Sequence, residues 1–285
     1  MRQPKPSQPK KVDATLMKAP EKQLTRAIQR ADLETLHRLK IQYDLTELLD
    51  KPSILGASAR RWALWRQHMP VLEQLALSPF APLRIRDTND TLDTLNPEQI
   101  AAQFHYQNSH YLCFEEAQRI PRVIRCLRIL FKLSWLSERC IWLAAVHKDQ
   151  LDHPKEPTCT VRFINKHIGY GVFAEHRYNT GEWIGEYVGT INLRHMFSAE
   201  RDTTYIMEYP VPALPGYCWS IDARKMGNFT RFINHHDNPN CSMGVAFDGF
   251  ILRLVLLARR SINPGQELTL DYGTDYWRRR PAPTL

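Results

Sequence analysis

The spacing of apolar residues changes along this chain. Between residues 21 and 150, apolar residues recur every three or four positions, which is typical of one face of an α-helix. The clearest case runs from Ile120 to Phe131. A second face of that segment carries four basic residues: Arg122, Arg125, Arg128 and Lys132. The pattern predicts a mainly α-helical N-terminal domain over residues 21–150 that includes an amphipathic helix with a basic stripe.

Two segments of this helical region are alike. RAIQRADLETLHRL, which begins at Arg26, aligns with WALWRQHMPVLEQL, which begins at Trp62. The spacing is similar to that of helix-pair repeats of the ankyrin type, although the usual ankyrin turn sequence is absent. Two ordinary helices of a bundle are the alternative interpretation.

After Pro154 and Pro157 the pattern changes to short apolar segments separated by Gly, Asn and Pro. Asp248-Gly249 is a strong signal for a hairpin turn. The alternation predicts strands over residues 161–164, 171–174, 183–190, 205–208, 218–221, 243–247, 251–258 and 267–270. We therefore predict a β-rich domain over residues 155–277, a domain boundary between residues 148 and 160, and an α+β fold class.

The two ends of the chain have little to bury. Residues 1–20 are rich in Lys, Pro and Gln and predict a flexible basic tail, and residues 278–285 predict a second tail. No apolar run approaches the ~20 residues that a membrane-spanning helix needs, and the N-terminus lacks the apolar core of a signal peptide. We expect a soluble, intracellular protein with no membrane partner.

Composition narrows the class of protein. A chain of 285 residues with 43% hydrophobic and 24% charged residues is typical of globular proteins. Nearly all of the +8 net charge comes from residues 1–150, which favours nucleic acid, chromatin or another acidic partner; a solvated surface is the alternative. The six cysteines form no Cys-x-x-Cys pair, so we predict reduced thiols and no bound metal.

Several short motifs in the β-rich half suggest chemistry. RFINHHDNPNC, from Arg231 to Cys241, follows an apolar pair with many short polar side chains and contains a Pro, which predicts a loop of fixed shape. GYG at residues 169–171 lets a backbone approach a ligand closely. GEYVG at residues 185–189 and ELTLDYG at residues 267–273 are further motifs. Each is weak alone, and their order and spacing are the signal.

Taken in order, GYGVFA, GEYVG, TYIMEY, IDARKMGN, RFINHHDNPNC and ELTLDYG resemble the SET-domain protein lysine methyltransferases over about residues 158–276. The resemblance implies small curved β-sheets in which the RFINH segment passes beneath another part of the chain as a pseudoknot and lies beside the DY tyrosine. It implies methyl transfer from S-adenosylmethionine to a lysine side chain.

The same resemblance implies roles for individual residues. The hydroxyls of Tyr272 and Tyr205 are expected to serve catalysis. Leucine at position 270 has no hydroxyl with which to hold a water against the amine, which favours di- or trimethylation. The residues implied for the cofactor are Gly169, Tyr170, Gly171, Arg231, Asn234, His235 and Tyr272, and those implied for the substrate channel are Leu270, Tyr276 and Trp277.

The resemblance has departures. The family usually has NHSC-x-PN, whereas this chain has His236 and Asp237 in place of Ser and Cys, and Cys241 lacks the partner cysteines of a zinc cluster. A compact chain without zinc-binding flanks would suit a bacterial or viral protein that acts on a host. Family membership makes a histone the expected substrate, and a histone substrate would place the protein in the nucleus of a eukaryotic cell.

Three alternatives remain open from the sequence. One is a methyltransferase of another basic protein, such as a ribosomal protein. A second is a SET-like interaction module with weak or no catalysis. A third is a metal site built from His235, His236 and Asp237 together with His195, although adjacent side chains on a turn rarely converge on one ion.

Overall fold

Helices dominate the first half of the chain. The structure, a computed structural model, describes residues 19–196 and 204–277, except for the side chains of Asp275 and Trp277. Its helices are α1 (Pro20–Arg30), α2 (Leu33–Gln42), α3 (Leu45–Asp50), α4 (Ala59–Arg66), α5 (Met69–Gln74), α6 (Pro97–Phe104), α7 (Ile120–Lys132), α8 (Glu138–Val146), α9 (Lys148–Asp152) and α10 (Thr274–Trp277). The predicted tails lie outside the described residues, apart from residues 19 and 20.

Local sequence explains where these helices begin. The Asp32 side chain accepts a hydrogen bond from the Thr35 main chain at the start of α2, and Asn96 forms a capping box with Gln99 at the start of α6. Each of the two similar segments forms a helix pair, α1 with α2 and α4 with α5. The assignment of these pairs to ankyrin-type repeats stays a prediction.

Strands occur in both halves of the chain. They are β1 (Leu83–Arg86), β2 (Leu92–Leu95), β3 (Gln107–Asn108), β4 (Cys113–Phe114), β5 (Cys159–Asn165), β6 (Gly169–Ala174), β7 (Trp183–Glu186), β8 (Thr190–His195), β9 (Ile206–Glu208), β10 (Tyr217–Asp222), β11 (Met226–Gly227), β12 (Asn234–His235), β13 (Cys241–Phe247), β14 (Leu252–Ala258) and β15 (Glu267–Leu270). All eight predicted strands overlap an observed one, but residues 183–190 contain two separate strands rather than one.

The strands form four small sheets. The largest has the order β12-β15-β6-β5-β1-β2, and the others are β4-β8-β10-β9, β13-β14-β7 and β11-β3. The Asp248-Gly249 turn joins β13 to β14 as predicted, with Gly249 at φ 87°. Asn234 and His235, which the sequence placed in a loop, pair in parallel with Thr269 and Leu270. This pairing lays the RFINH segment along the strand that leads to Tyr272.

The chain divides into two units, residues 1–63 with 68–76 and residues 64–67 with 77–285. The predicted boundary between residues 148 and 160 separates two patterns of sequence but does not separate these units. The reason is strand pairing, because β1 pairs with β5, β3 with β11 and β4 with β8. The second unit therefore includes much of the helical half.

The second unit has a continuous apolar core beneath β5, β6 and β15. Val161, Val172 and Leu268 are almost fully buried in it, together with Phe229 and Phe232 from the segment before β12. This packing fixes the RFINH segment against β6 and β15. No helix in the described ranges has the length and hydropathy that crossing a membrane requires.

Candidate functional site

The two glycines of GYG lie at the start of β6 and differ in their surroundings. Gly169 has φ +81°, and a Cβ added there would meet no atom within 4 Å. A Cβ at Gly171 would lie 2.6 Å from Oε1 of Glu267 and 2.6 Å from Cδ1 of Ile164. Gly169 therefore leaves an open backbone face, whereas Gly171 allows β15 and β5 to pack closely on β6.

Asn234 connects the RFINH segment to this glycine strand. Its Nδ2 donates to the main-chain carbonyl of Tyr170 at 3.0 Å and to Oε1 of Glu267 at 2.8 Å. Both amide hydrogens are thus used within the chain, which leaves the Oδ1 acceptor for a ligand. The structure brings together Gly169, Tyr170, Gly171 and Asn234, four of the residues that the resemblance assigned to the cofactor.

His235 joins the same site to Tyr272. The main-chain N–H of Tyr272 donates to Nδ1 of His235 at 3.2 Å, and Nε2 of His235 lies 3.1 Å from Oδ1 of Asp237. The parallel pairing of His235 with Leu270 explains this contact, because Tyr272 follows two residues later. Asp237, one of the departures from the family pattern, therefore contacts a predicted cofactor residue.

The remaining polar side chains of the loop serve its shape. The Asn240 side chain accepts from the Thr269 main chain at 2.8 Å and donates to the Glu267 carbonyl at 2.8 Å. Arg260 donates to Oδ1 of Asn238 at 2.9 Å, and His236 accepts from the Asn238 main chain. Asn240 therefore holds the backbone of β15, whereas the Asn238 side chain binds Arg260.

A cavity of about 450 Å³ lies beside Tyr272. The Tyr272 hydroxyl donates to the main-chain carbonyl of Ile233 at 2.6 Å. Leu270 is 8% exposed and lines the cavity, and the ring of Tyr276 lies 4.6 Å from that of Tyr272. Three predicted residues therefore share one wall. Trp277 ends α10, and its side chain lies outside the described part of the structure.

Tyr205 lies on the cavity wall in a strained backbone conformation. Its φ is 62°, which is unusual for a bulky side chain. Its carbonyl accepts two hydrogen bonds, from the Tyr187 hydroxyl at 2.8 Å and from the Ala223 main chain at 2.9 Å. These two bonds fix the backbone from which the Tyr205 side chain projects.

Arg231 lies on the same cavity wall. It is 8% exposed, and its guanidinium carbon lies 4.1 Å from the ring centroids of both Tyr106 and Tyr205. Its Nη1 donates to the Arg224 carbonyl at 3.3 Å. Arg231, which the sequence grouped with the cofactor residues, thus contacts one of the predicted catalytic tyrosines.

Sequence reasoning missed two tyrosines, one on this wall and one against the Arg231 guanidinium. Tyr187 lies within the GEYVG motif, but nothing marked its hydroxyl as the partner of Tyr205. Burial raises the pKa of Tyr187, so that this phenol stays neutral. Tyr106 lies in the helical half, about 100 residues before Tyr205. No motif surrounds it, and it comes directly before β3, which pairs with β11 of the other half of the chain.

The part of the chain that the structure describes contains no group of three or more His, Cys, Asp or Glu side chains that could hold a metal ion. Burial raises the pKa of the Cys241 thiol to about 12. His195 packs its ring 5.1 Å from that of Tyr217. The metal alternative drawn from His235, His236 and Asp237 has no support in this geometry.

Comparisons with known proteins agree with the motifs. Residues 169–273 match the family model described as SET domain. Histone-lysine N-methyltransferase ash1 of Drosophila melanogaster is 33% identical over 117 residues, which are 39% of this chain and 5% of that protein. Histone-lysine N-methyltransferase SETD1B of Xenopus laevis is 35% identical over 116 residues, 39% of this chain and 6% of that protein.

Two further similarities have the same extent. The H3 lysine-36 specific histone-lysine N-methyltransferase of Candida albicans is 32% identical over 118 residues, 40% of this chain and 14% of that protein. A crystal structure of KRYPTONITE in complex with mCHH DNA, an H3(1-15) peptide and SAH has 33% identity and a TM-score of 0.34, and the match covers 41% of this chain and 24% of that chain. This chain therefore spans only a small part of the length of these relatives.

Proposed function

Because residues 169–273 form a SET domain, we propose that this protein is a protein-lysine N-methyltransferase that uses S-adenosylmethionine. The observation that carries the proposal is the position of Tyr272. The Ile233 carbonyl holds its hydroxyl on the cavity wall. Its main-chain N–H donates to His235, and the neighbouring Asn234 donates to the Tyr170 carbonyl of the glycine strand. Tyr272 therefore lies between the open backbone face at Gly169 and the cavity. This position suits transfer of a methyl group from a cofactor at the backbone face to a side chain in the cavity.

The glycine strand fits the amino-acid end of the cofactor. The open backbone face at Gly169 allows close approach, and the free Oδ1 acceptor of Asn234 suits an ammonium group. S-adenosylmethionine carries such a group and, when bound, supplies a methyl group on a positively charged sulfur. We assign its binding to Gly169, Tyr170, Gly171, Asn234 and His235.

The cavity suits a lysine side chain. Methyl transfer needs a neutral amine, whereas free lysine has a pKa of about 10.4 and is protonated at neutral pH. Apolar side chains such as Met243, Leu256 and Leu270 line the cavity, and desolvation there would lower the lysine pKa. The Tyr272 proton is engaged with Ile233, so that its oxygen can accept a hydrogen bond from the amine and align it.

We assign a histone as the substrate and di- or trimethyl-lysine as the product. The names of three similar proteins are those of histone-lysine N-methyltransferases, which supports the substrate class. Leu270 lines the cavity without a hydroxyl, which supports more than one transfer. A nuclear location follows if the substrate is a histone. Another basic protein remains the alternative substrate.

Chromatin contact through the basic stripe of α7 stays a prediction. Arg128 of that stripe donates to the Gly249 carbonyl at 3.2 Å and lies 5.2 Å from the Phe250 ring centroid. Arg122, Arg125 and Lys132 are exposed. These three residues are therefore the most accessible members of the stripe to phosphate groups.

In the test, the full chain and radiolabelled S-adenosylmethionine are incubated with core histones or with ribosomal proteins, and label transfer to protein is measured. Tyr272→Phe is expected to lower transfer about 100-fold while cofactor affinity, measured by calorimetry, is kept. Tyr217→Phe is the matched control, because Tyr217 is 42% exposed and lies outside the cavity lining. Cofactor binding without transfer to any protein would favour the interaction module, and loss of both would refute the proposal.

A further inference from the structure

Seven large apolar side chains are exposed on α7, α8 and the turn between these helices, and five of them are more than half exposed. The exposed fraction is 74% for Trp135, 60% for Trp142, 57% for Ile129 and Leu133, and 52% for Val146. Isolated exposed apolar residues are ordinary, whereas a contiguous group marks an interaction site. We call these five side chains the apolar face.

A tight turn and a side-chain cap separate α7 from α8. Ser134 has φ 57°, and the Trp135 main chain donates to the Leu130 carbonyl at 2.9 Å, so that α7 ends in a tight left-handed turn. The Ser137 side chain then caps α8 by accepting from the Cys140 main chain. Trp135 therefore lies in the short connection that joins the end of α7 to the start of α8.

Both helices also pack against β13. The Phe131 ring of α7 lies 5.7 Å from that of Phe247 in β13. Leu143 of α8 is buried in one cluster with Ala246 of β13 and Val255 of β14. Ile129 and Leu133 are four residues apart at the end of α7, and Trp142 and Val146 are four apart on α8, which places each pair on one outward side. The apolar face thus consists of exposed side chains of α7, of α8 and of the connection between them.

Exposed cations surround the apolar face. Arg122, Arg125, Lys132 and Arg139 are exposed, and none belongs to an ion pair among the described residues. Glu138 is the one acidic residue between Arg119 and Lys148. A partner that covers this surface must therefore offer both apolar contact and negative charge.

We propose that the apolar face docks the protein on the surface of a bilayer that contains anionic lipids. Trp side chains at headgroup level, aliphatic side chains in the acyl boundary and Lys or Arg against anionic headgroups are the features of interfacial binding. Nucleic acid would pair with the cations but would leave Ile129, Leu133 and Val146 without apolar contact. The expectation of no membrane partner rested on the lack of a spanning run, which does not test surface docking.

Co-sedimentation of the full chain with lipid vesicles tests the proposal. The protein is expected to bind vesicles of phosphatidylcholine with phosphatidylserine and not vesicles of phosphatidylcholine alone. The double substitution Trp135→Ala/Trp142→Ala is expected to weaken this binding about tenfold or more, and so is Arg125→Gln/Lys132→Gln/Arg139→Gln. High salt should weaken binding only in part, since apolar contact is not screened.

Matched controls separate docking from general effects. Leu214→Ala removes a side chain that is 60% exposed elsewhere, and Lys166→Gln removes an exposed charge; both should bind like the unaltered chain. Equal melting temperatures would show that the variants fold. No vesicle binding, binding unaffected by the Trp substitutions, preference for duplex DNA over vesicles, or a dimer that the Trp substitutions dissociate would each overturn the proposal.

Discussion

The guanidinium carbon of Arg231 lies 4.1 Å from the ring centroid of Tyr205. The ring of Tyr106 contacts the same guanidinium at the same distance, from a position outside the SET domain match. Nε of Arg231 is buried and has no hydrogen-bond partner among the described residues. Two aromatic rings therefore provide much of the favourable environment of a buried cation, and one of these rings lines the proposed lysine cavity.

We predict that Tyr106 positions Tyr205 through Arg231. Tyr106→Leu removes the aromatic face, and the strained backbone at Tyr205 should then lose part of its support. KM for a lysine peptide is expected to rise about tenfold. Tyr106→Phe keeps the ring and should stay within about twofold. Steady-state kinetics measure both values, with calorimetry showing unchanged cofactor affinity. If Tyr106→Leu and Tyr106→Phe change KM equally, the aromatic face of Tyr106 does not position Tyr205.

The loss of folding stability at low pH should depend on Glu175. Its carboxylate binds Arg86 of β1 at 2.7 Å, Arg162 of β5 at 2.9 Å and the Thr160 hydroxyl at 2.6 Å. Arg86 is the largest cause that lowers the pKa of Glu175, from 4.5 to about 2. A lowered pKa in the folded state stabilises the fold fully above pH 4.5, and this contribution is lost as pH falls toward 2.

The expected loss is about 2 kcal/mol of unfolding free energy, after allowance for partial solvent exposure. Urea denaturation at a series of pH values measures it. Glu175→Gln should lower stability at neutral pH and flatten the decline between pH 4.5 and 2. Glu98→Gln, an exposed carboxyl on α6, is the control. An unchanged slope in Glu175→Gln would contradict the assignment.

Removal of residues 1–150 should unfold the SET domain. The deletion would take away β1, β3 and β4, which pair with β5, β11 and β8. Three strands would then expose unpaired edges, and an apolar core would lose Leu83, Leu95 and Ile100. A chain of residues 64–285 keeps all of these contacts and should fold. Circular dichroism and thermal melts show whether each chain folds. A folded chain of residues 151–285 would refute the expectation.

The sequence predicted the β-rich half well because its signals are local. Alternation of apolar residues and the Asp248-Gly249 turn mark β13 and β14 without reference to the rest of the fold. β1 and β3 gave no such signal. They are short, they lie among helices, and they become strands because partners far along the chain pair with them. The predicted domain boundary rests on the same local patterns, and the division of the chain into two units does not follow it.

The site was predictable where motifs carry it. Asn234, Leu270 and Tyr272 belong to two quoted motifs, and the structure places them around one pairing of strands. The Arg231 contacts were not predictable, because a cation between aromatic rings leaves no spacing signature when Tyr106 comes from another part of the chain. Short-range patterns identify motifs, whereas contacts between distant segments require the fold.

The number of methyl groups transferred should depend on residue 270. Leu270 is 8% exposed on the cavity wall, near the Tyr272 hydroxyl that we propose aligns the amine. Without a hydroxyl at this position, a methylated amine can rotate and present its lone pair again. Leu270→Tyr is expected to stop the reaction at monomethyl-lysine. Leu270→Phe introduces a ring similar in size to that of tyrosine but without the hydroxyl, and it should still allow further transfer. Mass spectrometry of a peptide product over time separates these outcomes.

Monomethyl-lysine as the sole long-time product of the unaltered chain, with excess cofactor present, would refute the prediction. If Tyr and Phe at this position both stop the reaction after one transfer, side-chain size rather than the hydroxyl limits it.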